Sequence, residues 1–161
     1  MDPAKERGGV TTPPDRLTAE EQLVWRSLGR AVLRLPRIVD EAMMRTTGLT
    51  MTEFAVLDTL QEAEHRTLRI SEVAANTGLS SSRVSRVVDS LATRGWCRRE
   101  PDTTDRRAAL AVLTEEGNTK AETAKPHHSR LAREHVLAHI PAEERAHFIA
   151  ALTAISGGDG S

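Results

Sequence analysis

At 161 residues the chain has the length of a single domain and is long enough to bury a real core. A net charge of −1 points to no polyanion partner, four aromatic side chains are too few to stack single-stranded bases, and the lone Cys97 excludes an intramolecular disulfide and fits a reducing compartment. No apolar run approaches membrane-spanning length and the first residues lack a signal-peptide core, so the expected location is the cytoplasm, with no membrane partner.

Residues 1–16 (MDPAKERGGVTTPPDR) read as a loose tail. From Leu17 to about Thr47, apolar residues recur at helical spacing, and Pro36 inside that run is expected to bend the helix. A second helix starts after Gly48, with Thr50 and Glu53 spaced as a capping box and Phe54, Leu57 and Leu60 as its inner stripe. The run TLRI reads as a short strand. Ser71 is the expected cap of a brief helix that ends at Thr77.

Gly78 then supplies a turn, and Ser80 caps a helix through SSRVSRVVDSLATR. Successive helical residues turn by about 100°, which gathers Val84, Val87, Val88 and Leu91 on one face and sets Ser82, Arg86, Asp89 and Thr93 opposite. Ala74, Gly78 and Val84 have the spacing of a helix-turn-helix: a small residue at the crossing, a glycine free to take positive φ, and an apolar residue closing the angle. The strand-like runs WCRRE and AALAVL, joined by PDTTDRR, read as a hairpin. A helix-turn-helix followed by a hairpin is a winged helix.

Thr114 caps the next long helix, which contains Pro126 and is expected to run to about residue 140. Pro141 is expected to open a last helix through Ile155, before a flexible tail at 156–161. The predicted fold is therefore mainly α with a small β-hairpin wing (α+β). A winged helix-turn-helix at about 50–113 is flanked by helices at about 17–47, 114–140 and 141–155. These outer helices are too long and apolar for so small a centre to cover, so the expected partner is a second copy, giving a homodimer. Charge is also uneven. Seven arginines face four acids between Ser80 and Arg107, a local surplus of three positive charges inside an acidic chain.

The segments GLTMTEFAVLDTL, LRISEVAANTGLSSSRVSRVVDSLATRGW and PDTTDRRAALAVLTEEG together resemble the MarR family of bacterial transcription regulators, over roughly residues 17 to 155. The resemblance implies a triangular homodimer whose winged helices bind a pseudo-palindromic site on double-stranded DNA. Its recognition helix enters the major groove and its wing reaches the minor groove. The DNA-binding set it implies is Ser80, Ser81, Ser82, Arg83, Ser85, Arg86, Arg106 and Arg107. Arg86 matches the arginine that reaches base edges, and Arg106 the wing-tip arginine. Arg107 has a second role open to it, an ion pair with Asp105 that braces the wing. Thr104 stands where the family often carries a further arginine.

Relatives of this kind often bind small aromatic acids between the dimer helices and the winged helix. Trp25 and Arg26 on the first helix could hold a ring and a carboxylate, with His128 on the opposite wall; packing in the dimer core is the other reading of Trp25. His135 and His139 are spaced to chelate zinc on a continuous helix. The first two helices add no histidine before His65, so no metal ligand and no cofactor is assigned. Cys97 reads as a small buried hydrophobe. No nucleophile–base pair or phosphate loop suggests an enzyme. The expected function is a dimeric DNA-binding regulator, a repressor released by a small aromatic carboxylate. A winged helix used only for protein contacts, and a metal-responsive regulator, are the alternatives.

Overall fold

The computed structural model describes residues 15–105 and 108–157. Along the described chain the elements are α1 (Ala19–Thr47), α2 (Met51–Glu62), β1 (Thr67–Arg69), α3 (Ile70–Thr77), α4 (Ser81–Thr93), β2 (Cys97–Pro101), β3 (Ala109–Leu113), α5 (Glu115–His135) and α6 (Arg145–Ile155). The expected mainly helical fold with a small hairpin wing is the observed one. No helix among the described residues is long and apolar enough to cross a membrane.

The described residues divide at Pro36 into two compact units. The first holds the opening turns of α1. They are capped by a reciprocal pair: Thr18 N–H donates to the Glu21 carboxylate at 2.7 Å and Glu21 N–H donates to the Thr18 hydroxyl at 3.2 Å. Leu23, Val24, Trp25, Val32 and Leu33 are exposed along this segment, Leu33 at 79%.

The second unit contains the winged helix. Its core is built from Met43 of α1, Leu49, the α2 residues Phe54, Val56, Leu57 and Leu60, and Val73, Val84, Val88 and Leu91 of the helix-turn-helix. Ala121, Ala124 and Leu131 of α5 close it. The three strands lie in the order β1-β3-β2, both pairings antiparallel, with Leu68 and Arg99 opposite Ala111 from either side. β1 thereby extends the hairpin into a sheet under the helix-turn-helix.

Helix starts follow the short polar spacings. Thr50 accepts from Glu53 N–H at 3.1 Å while the Glu53 carboxylate accepts from Thr50 N–H at 2.9 Å, the expected capping box. Ser80 accepts from Arg83 N–H, and Thr114 from Gly117 N–H at 3.0 Å. Gly78 takes φ 68°, the left-handed conformation the turn requires.

Three expectations are corrected. Ser71 is not the cap of α3, which starts at Ile70; the Glu72 carboxylate instead accepts the N–H of Arg69, the last residue of β1, at 2.7 Å. The long fifth helix stops at His135 rather than near 140, because Val136 leaves helical geometry (φ −128°, ψ −65°) and a single 3₁₀ turn, Leu137–His139, follows. Pro141 does not open α6. It stands in extended geometry (φ −51°, ψ 144°) before another 3₁₀ turn, Ala142–Glu144, and the α-helix begins at Arg145. Pro36 and Pro126 lie inside α1 and α5, which run on through them.

Candidate nucleic-acid interface

α4 is fastened by one face. Val84, Val88 and Leu91 are fully buried, one or two turns apart, while Ser81, Ser82, Arg83 and Arg86 are exposed. Val87 packs against the core edge and is only partly covered. The two exposed arginines are lightly held: Arg86 Nε reaches the Ser82 carbonyl at 3.4 Å, and Arg83 Nη2 the Thr52 hydroxyl at 3.4 Å. Both ends of such contacts are weak, so neither guanidinium is committed to the fold. Ser80 and Ser82 lie within 3.2 Å of one another through their hydroxyls at the helix start.

Ser85 is placed differently. Half-buried on the side of α4 toward the hairpin, its hydroxyl accepts from Arg99 Nη1 of β2 at 2.7 Å, and the same nitrogen bonds Asp89 at 3.1 Å. The wing therefore touches the recognition helix through a specific polar contact. A shallow cleft of about 330 Å³ lies between them, lined by Arg69, Ser71, Ser81, Arg99 and Asp105 among others.

The turn of the wing is organised around Asp102, whose side chain is only 6% exposed. Its carboxylate accepts from the Thr104 hydroxyl and backbone N–H, each at 2.7 Å, and from Arg69 Nε at 2.6 Å. Arg69 Nη2 also donates to the Thr104 hydroxyl at 3.0 Å. The hydroxyl and N–H of Thr104, then Arg69, hold the Asp102 carboxyl well below the usual carboxylate range. The sequence offered no sign of this brace: Arg69 stands 33 residues from Asp102. Asp105 N–H also approaches the Asp102 carboxylate at 3.3 Å. Arg106 and Arg107, with the expected Asp105–Arg107 pair, lie outside the described residues.

Behind α4 the second unlooked-for link is Arg94. It pairs with Glu53 at 3.3 Å, donates to the Gly48 carbonyl at 2.7 Å and lies 3.8 Å over the Trp96 ring. One arginine thus ties the α1–α2 turn, the start of α2 and the end of α4. Of the seven arginines in the basic window, Arg94 serves the fold, Arg99 is held by Ser85 and Asp89 of α4, and Arg98 pairs with Glu100 at 3.1 Å.

Of the ligand candidates, Trp25 is 67% exposed and Arg26 Nη2 reaches Gln22 at 3.4 Å, both on α1 in the first unit. His128 lies on α5 in the second unit, half-buried, its ring 4.6 Å from that of Phe54 and tilted by 31°. His135 ends α5 and His139 sits in the 3₁₀ turn beyond, so the two do not share an α-helical turn. Cys97 is buried, and burial pushes its thiol up to about 12.

The family model described as MarR family matches residues 49–109. The uncharacterised HTH-type transcriptional regulator YkoM of Bacillus subtilis is 33% identical over 124 residues, covering 73% of this chain and 79% of that protein. Transcriptional repressor MprA of Escherichia coli K12 is 33% identical over 90 residues, and the match spans about half (51%) of its length and 55% of this chain. Among solved structures, Sco3205 of Streptomyces coelicolor, a MarR family transcriptional regulator in complex with DNA, superposes with a TM-score of 0.84 at 33% identity, covering 89% of this chain and 90% of that one.

Proposed function

The chain belongs to the MarR family, and on that premise we propose that it is a cytoplasmic, homodimeric, sequence-specific DNA-binding transcription repressor. The observation that carries this reading is α4, which buries Val84, Val88 and Leu91 completely while presenting Ser81, Ser82, Arg83 and Arg86 outward beside the hairpin. An arginine bidentate on guanine is worth about 1–3 kcal/mol of base discrimination, so Arg86 reads sequence. Ser80, Ser81, Ser82, Arg83 and Ser85 contact phosphate or base edges, and Arg106 and Arg107 of the wing serve the minor groove. The name of MprA, a transcriptional repressor, supports repression over activation.

In this reading, residues 50–113 are the DNA-binding part and 17–47, 114–140 and 141–155 the dimerisation part. Exposed Leu33, Trp25 and Val32 on α1, and Phe148, Ile149, Leu152 and Ile155 on α6, support it, since a lone chain leaves these residues in water. A small aromatic carboxylate releases the repressor, its ring on Trp25 and its charge on Arg26. Exposure of the Trp25 ring and the long 3.4 Å reach of Arg26 to Gln22 support that assignment. A coupling of about 1–3 kcal/mol between effector and operator suffices to weaken DNA binding 5–150-fold.

A mobility-shift titration on the DNA upstream of the chain's own gene tests the proposal. Retention of that DNA over an unrelated duplex, loss of the preference in Arg86→Ala, and release by salicylate-like acids are the expected results. Equal retention of both duplexes contradicts sequence-specific binding. Release that survives Trp25→Ala and Arg26→Ala removes the effector site.

A further inference from the structure

Arg99 belongs to the wing, yet its guanidinium is spent on the recognition helix. Along β2 its neighbours Arg98 and Glu100 pair with one another, while Arg99 Nη1 lies 2.7 Å from Ser85 Oγ. Asp89, one helical turn beyond Ser85, anchors the same nitrogen at 3.1 and 3.4 Å. From this geometry we infer that Arg99 fixes Ser85 as a hydrogen-bond donor, so that Ser85 selects acceptor atoms on base edges and rejects base amino groups at its position. The inference rests on the DNA-reading function proposed above.

A guanidinium has five donors and no acceptor, so the serine oxygen is necessarily the acceptor in that bond. A hydroxyl carries one O–H and two lone pairs. One pair is occupied by Arg99, and the second lies beside a positive charge held in place by Asp89, an unfavourable seat for another N–H. The O–H is what remains for a ligand. A serine without such a partner pairs with either donors or acceptors on base edges and discriminates poorly. With its polarity fixed, Ser85 suits purine N7, guanine O6 or thymine O4 and clashes electrostatically with cytosine N4 or adenine N6. Arg99 is then a positioning residue for specificity, acting on DNA through Ser85.

The test is competition binding of duplexes that vary each base pair of the half-site, with the parent, Ser85→Ala, Arg99→Ala, Asp89→Asn and the Ser85→Ala/Arg99→Ala double variant. In the parent, one position favours an acceptor edge; Arg99→Ala should reduce that preference about three- to tenfold, in the range of one net hydrogen bond, and leave other positions unchanged. Asp89→Asn should move the same position in the same direction, and the double variant should match Ser85→Ala alone. If Arg99→Ala weakens every duplex equally, Arg99 is a phosphate contact or a fold support and the inference is overturned. An unchanged profile in Ser85→Ala overturns it too, with DNA reading intact. A parent without any base preference overturns both this inference and the proposed function.

Discussion

Gly117 of α5 lies so close to Trp96 that a Cβ built on it would stand 2.0 Å from the Trp96 carbonyl oxygen. The contact is where the fifth helix leaves the wing. Thr114 N–H donates to that same carbonyl at 3.1 Å, and the Thr114 hydroxyl donates to the Gly95 carbonyl at 2.7 Å. The stretch from Leu113 to Gly117 (LTEEG) therefore has a structural meaning: a cap that grips the preceding turn, and a glycine that lets the helix backbone approach it.

Gly117→Ala should destabilise the protein by about 1–3 kcal/mol or more through overpacking, although alanine is the better helix former. Denaturant unfolding checks this. A variant with an unchanged or higher midpoint means the helix can slide away at no cost, and the contact does not fix its exit.

The brace at Asp102 predicts a pH dependence. Its folded-state carboxyl sits below the ordinary range, so its contribution to stability is complete above the ordinary carboxylate value and is lost as pH falls through the depressed one. Asp102→Asn should lower stability at neutral pH and flatten the acid limb of the stability curve. Urea midpoints for parent and variant from neutral to strongly acid pH decide it; parallel curves remove Asp102 from the account of acid unfolding.

Cys97 should be inert while the protein is folded. With its thiol pushed up to about 12 by burial, it is protonated at neutral pH, and the thiolate is the reactive form. By the same linkage, stability falls as pH rises from the ordinary thiol value toward about 12. Iodoacetamide at neutral pH should label the denatured chain rapidly and the native chain slowly. Equal rates would mean that the strand opens readily.

Much of the winged helix was legible because its signals are local. Thr50 with Glu53, Gly78, Ser80 and Thr114 act within three or four residues, a spacing fixed by helix geometry, and each performs the expected role. The links that shape the interface are not local. Arg94 to Gly48 spans 46 residues and Arg69 to Asp102 spans 33, and an arginine carries no mark of which distant carboxylate or carbonyl it will meet. Apolar periodicity misled at the C-terminal end, since it continues across Val136 while the backbone does not.

The exposed apolar residues of the outer helices predict association. On a lone chain Leu33→Asp and Ile149→Glu are surface changes worth within about 0.5 kcal/mol. In a dimer they should dissociate or aggregate the protein. Sedimentation velocity at micromolar concentration should find the parent as two chains; a well-folded parent monomer contradicts dimerisation.

The most direct measurement is a hydroxyl-radical footprint of the parent protein on the DNA upstream of its gene. Two recognition helices on a dimer must enter successive major grooves, so two protected patches should appear with centres about 10–10.5 base pairs apart or a multiple of that spacing. Arg86→Ala should lose both patches at a protein concentration that saturates the parent. A single patch, uniform protection along the duplex, or an identical footprint from Arg86→Ala would contradict a dimeric reader that uses α4.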